Sequence, residues 1–127
     1  MDDSILDSVK SEAGVIADDG AFDDELILHI NTAFMTLRQV GVGPENPFII
    51  SDNSAVWSDF TDDMAILPMV KAYVGLKVRL LFDPPTSSSL ATAIQNSVAE
   101  YEWRLNLEAD KYNVEEDEKY ANRRNSF

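Results

Sequence analysis

The chain has 127 residues, no cysteine, and 23 Asp+Glu against 10 Lys+Arg, for a net charge of −13. That length fits one domain with a real core, and the missing cysteine excludes disulfides and thiolate chemistry. With acid dominant and no Lys/Arg cluster able to displace counterions, general nucleic-acid binding is excluded.

The opening "MDDSILDSVK" is acidic and lacks an apolar h-region, so no secretory signal is expected. A first helix is predicted over 4–13, capped by Ser4 or Asp3, with Ile5, Leu6 and Val9 as its apolar stripe. Asp18-Asp19-Gly20 forms a turn. Asp23, Asp24 and Glu25 then open a second helix over 23–40, where the macrodipole favours negative charge. Leu26, Ile30, Ala33, Phe34 and Leu37 share its apolar face, and "GVGPENP" stops it.

Residues 48–62 show no helical period. "FII" and "AVW" could pair as a short hairpin across "SDNS", but a lone hairpin is marginal in water, so the segment is expected to lie on the helices or to pair with another chain. Trp57 and Phe60 in this loop either tuck onto the core or anchor a partner.

A third helix is expected over 63–82, started by Asp62 or Asp63 or restarting with Pro68 in its first turn; it ends at Asp83-Pro84-Pro85, because the residue before a proline is pushed out of the α region. Lys71, Lys77 and Arg79 make it too charged for a membrane span. Two apolar arcs flank Lys77. Ala72, Leu76, Met69, Leu80 and Tyr73 are expected to face the chain's own helices. Val70, Val74, Val78 and Leu81 are expected to meet a neighbouring subunit, since a helix apolar on most sides needs cover all round. Gly75 costs about 1 kcal/mol relative to Ala in mid-helix, which a close helix crossing would justify.

"TSSS" caps a fourth helix over 88–110, with Leu90, Ile94, Val98, Tyr101 and Leu105 as its stripe and Trp103 and Leu107 as a second, shorter one. From Tyr112 onward too few apolar residues remain to hold a core. The expected fold is all-α. A small four-helix domain covers 1–110, with a short irregular or hairpin loop between helices two and three. An extended C-terminal tail covers 111–127.

Catalytic signals are incomplete. His29 is the sole histidine and lies beside Leu28 and Ile30 as a packing residue. The acids from Asp18 to Glu25 fail the alternating ligand pattern of a calcium loop and fit a helix start better. "GVGPENP" lacks the Lys-Ser/Thr of a phosphate loop, and no pair of Glu-x-x-His motifs exists for a di-metal bundle. The expectation is no enzyme, no cofactor and no metal.

The order of elements, with "LPMVKAYVGLKVRLLFDPP" followed by a Ser-rich cap and "LATAIQNSVAEYEWRLNLEAD", resembles the head-to-tail connector (adaptor) proteins of long-tailed bacteriophages over residues 2–110. Its most specific part is 67–85, with Leu67-Pro68, Val70-Lys71, Leu76-Lys77 and the ending from Leu80 to Pro85. The resemblance implies a virion protein of the head-tail interface, assembled in the host cytoplasm. It implies a closed ring, about twelve-fold, beneath the portal. Such a ring extends the DNA channel and bears the next connector, stopper or tail-completion protein. DNA passes through without specific binding, since an acidic lumen repels it. The resemblance also implies that the C-terminal segment reaches the portal, with Arg123 and Arg124 pairing with acids and Tyr120 or Phe127 filling apolar sites. The competing reading is an acidic helical regulatory or DNA-mimic protein, monomeric or dimeric.

Overall fold

The computed structural model describes residues 3–16 and 18–125, with side chains described as far as Asp110. The described residues form five helices and no strand. They are α1 (Ile5–Glu12), α2 (Asp23–Gln39), α3 (Trp57–Phe60), α4 (Leu67–Phe82) and α5 (Ser88–Asn125). The all-α expectation holds, with the one-turn α3 added.

Ser4 caps α1, its hydroxyl accepting from the Asp7 N–H at 3.2 Å. Three acids fill the first turn of α2. Gly43 is obligatory by its surroundings: φ is +100°, and a Cβ there would lie 2.5 Å from the Phe60 ring. Pro68 stands in the first turn of α4, where its missing N–H costs little.

Of the two forms expected for this loop, the irregular path over the helices is the one present, and the hairpin does not form because each segment satisfies its backbone elsewhere. Ile50 is held by Asn31 of α2, which accepts from the Ile50 N–H at 2.9 Å and donates to its carbonyl at 3.0 Å. The "AVW" segment pairs instead with the start of α1. Ser4 and Val56 form an antiparallel bridge, and the Ile5 N–H donates to the Ala55 carbonyl at 2.9 Å. The loop thereby carries Phe48, Ile50, Trp57 and Phe60 onto the helices. Phe34 gathers the rings, with centroids 5.0 Å from Phe48, 4.7 Å from Phe60 and 6.2 Å from Trp57.

α4 is the central helix, packed on α1, α2 and α5. Its buried residues are Leu67, Val70, Tyr73, Val74 and Val78. This corrects the expected faces: Val70, Val74 and Val78 are all 0% exposed within the single chain. The physical reason is that α1, α2 and α5 all pack on α4 and cover this side within one chain. Leu76, Met69 and Leu80, expected at the centre, are only partly buried. Gly75 meets no close crossing either. An added Cβ would find Glu12 Cγ at 3.8 Å, an ordinary contact.

α5 buries Ile94, Val98 and Leu105 as its stripe predicts, although Leu90 at its start is 44% exposed. The helix does not stop near 110 but runs to Asn125, so the tail is not extended chain. Glu, Lys and Arg supply seven of residues 111–125. Such residues sustain a helix without an apolar face. At 1.5 Å per residue the 38 residues of α5 span about 57 Å.

Candidate assembly surfaces

The residues proposed for contacts fall into three groups. Val70, Val74 and Val78 are committed to the chain's own core, as are Trp57 and Phe60, which are 1% and 4% exposed. None of these five offers a surface to a partner in this structure. Leu81, at 43% exposed, does. The side chains of Tyr120, Arg123 and Arg124, and Phe127 as a whole, lie outside the described residues.

Trp57 is fixed from three sides. Its indole N–H donates to Ser8 Oγ at 3.2 Å, Phe34 meets one edge, and Lys71 Nζ lies 5.7 Å from the ring centroid. It therefore joins α1 to α4 rather than reaching outward.

Other apolar side chains are exposed. Trp103 is 62% exposed and Leu107 45%, one turn apart on the side of α5 away from its buried stripe. Leu28 at 63% and Met35 at 38% stand two turns apart on the outward side of α2. Both pairs were visible as off-stripe apolar residues; the Trp103–Leu107 pair is the second stripe predicted for this helix. The Leu28–Met35 pair was missed, and its seven-residue spacing was the available signal. Because α2 and α5 each pack on α4, both outer helices present an apolar pair.

A groove of about 790 Å³ runs between α1 and α4. Small residues form much of it: Ser4, Ser8 and Ser11 on α1, Ala72 and Gly75 on α4. Asp3, Asp7 and Glu12 also line it, with Lys71 opposite.

Charge inside the fold is tightly handled. Lys10 is 2% exposed and donates to the Asp19 carbonyl at 2.8 Å, with Asp23 Oδ1 also at 2.8 Å. Tyr73 donates to Glu102 Oε1 at 2.8 Å, and Lys77 reaches the same oxygen at 4.0 Å. Burial, then the Glu102 bond and charge, push the Tyr73 hydroxyl pKa well above its ordinary value. At the surface, the Ser54 hydroxyl and backbone N–H hold the Asp52 carboxyl below its ordinary range. His29 Nε2 lies 3.6 Å from Glu25 Oε1, one turn away on α2. Among the described residues no three His, Cys, Asp or Glu side chains converge as a metal site. No helix among them is long and apolar enough to cross a membrane.

Comparison with known proteins gives one assignment. The family model described as phage connector protein matches residues 5–112, which takes in α1 to α4 and most of α5. Neither the curated proteins nor the solved structures gave a match. The match covers most of the chain, and the helical fold agrees with the resemblance carried by the stretch from Leu67 to Pro85. The chain therefore belongs to the phage connector protein family.

Proposed function

We propose that this chain is a structural head-tail adaptor that closes into a ring beneath the portal. The ring has about as many copies as the portal, near twelve, since cyclic closure matches one adaptor to one portal subunit. It extends the DNA channel and presents a platform to the next connector or stopper protein. It works by binding and shape, without catalytic turnover, cofactor or metal.

The family membership carries this reading. The surface supports it. A ring is built from head-to-tail contacts between two different faces of one subunit. The outer helices α2 and α5 offer such a pair of faces, bearing Leu28 and Met35 on one and Trp103 and Leu107 on the other. The net charge of −13 supports the channel role, because a negative wall does not grip a passing polyanion. Leu81 stays a candidate subunit contact, and the C-terminal part of α5 a candidate for contacts beyond its own chain.

Electron microscopy of the chain mixed with portal rings tests the proposal. A closed ring of added density on one end of the portal is expected. Portal rings with bare ends at saturating chain would contradict it.

A further inference from the structure

We propose that the groove between α1 and α4 receives the last turns of α5, residues 119–125, from a second copy of this chain. The proposal deepens the ring reading and rests on it.

Three observations carry it. The first is space. Gly75 floors the groove, yet an added Cβ would meet nothing closer than Glu12 Cγ at 3.8 Å. Packing within the chain therefore does not require a glycine there. Its missing side chain leaves the groove open beside Ala72 and Ser8. A groove with such small walls admits a helix at close range.

The second is charge. Asp3, Asp7 and Glu12 line the groove, against Lys71. Its occupant should be cationic. Residues 111–118 hold four acids against Lys111, but residues 119–125 hold Lys119, Arg123 and Arg124 with no acid, a cationic end on an acidic chain.

The third is geometry. A chain cannot fill its own groove in this way. Tyr73 and Lys77 meet Glu102 of α5, and at about 100° per residue each lies roughly 160° around α4 from Gly75. α5 thus leaves from the opposite side of the central helix, as one continuous helix to Asn125. Another copy is free to present the same segment to the groove. A contact between α5's end and an α1–α4 groove joins two different surfaces, so it propagates head to tail and closes as a ring.

The cysteine-free chain allows disulfide trapping. One copy carries Ser11→Cys in the groove wall; a second, mass-tagged copy carries Asn122→Cys. Mild oxidation of the mixture should give about tenfold more mixed dimer than a copy bearing Asn46→Cys in an exposed loop, if charge complementarity directs the encounter. Adding R123E and R124E to the tagged copy should remove most of that excess. Gly75→Leu in the groove copy should also remove it while the free chain keeps its helical circular dichroism. Mixed dimers no more abundant than the Asn46→Cys control would overturn the proposal, as would a yield unmoved by charge reversal. Rings that form on the portal without the trapped contact would overturn it and leave the ring reading standing. Trapped dimers without rings would support the contact and end the ring reading.

Discussion

Lys10 shows how one residue governs a junction. Its ammonium is buried between α1 and α2, held by Asp23 and the Asp19 carbonyl, so it ties the α1–α2 turn to both helices. Breaking a fully buried ion pair costs about 3–5 kcal/mol, but Asp23 is 34% exposed and can rehydrate. Lys10→Met is expected to lower stability by about 2 kcal/mol in urea denaturation. An unchanged midpoint would show that water replaces the ammonium without cost. Tyr73 gives a pH signature. Its pKa is raised above 10.0 in the folded chain, so the unfolded chain loses the phenolic proton first. The resulting stabilisation is complete below about pH 10 and is lost as pH rises toward the folded value. Tyr73→Phe should cost about 1 kcal/mol at neutral pH and flatten the fall in Tm above pH 10. An alkaline limb equally steep in both proteins would contradict this.

At the scale of elements, the periodicity of α2 and α5 was enough to place their buried faces. Leu26, Ile30, Ala33, Phe34 and Leu37 all lie in the core, as do Ile94, Val98 and Leu105. α4 was legible as a helix, from Pro68 to the Asp-Pro-Pro stop, but not in its orientation. Both of its arcs are apolar, so the pattern carries no information about which side meets the other helices. The loop itself was illegible for a related reason. Its backbone partners, Asn31 and the residues around Ser4, are distant in sequence and have no local periodicity. The continuation of α5 was missed because an apolar stripe was demanded where helix propensity suffices. The corrected faces change the expected mutants. Val74→Lys places an ammonium at a site 0% exposed and should cost several kcal/mol, enough to unfold the free chain near room temperature. Trp103→Lys, at a site 62% exposed, should leave Tm within a few degrees and impair ring formation. Thermal unfolding of the two variants checks both statements. A stable Val74→Lys protein would mean that this face opens to solvent.

For the whole molecule, the single-chain core and the outward residues divide the labour. Within the single chain α1, α2 and α5 pack on the central helix, and Trp57 joins α1 to α4. What remains outside is apolar on the two outer helices, acidic over much of the surface, and basic near the C-terminus. That distribution suits a subunit that folds alone and assembles on a template. Removing residues 112–127 should leave the Tm of the free chain nearly unchanged, because the described core ends at Leu105 and Ala109. It should weaken assembly strongly; a truncated chain that completes rings as well as the full one would confine the contacts to the helical body. The most direct measurement of the central claim is the native mass of portal rings titrated with the full chain. Saturation at a single complex holding one chain per portal subunit is expected. Portal rings that gain no mass, or that saturate at scattered substoichiometric loads, would contradict it.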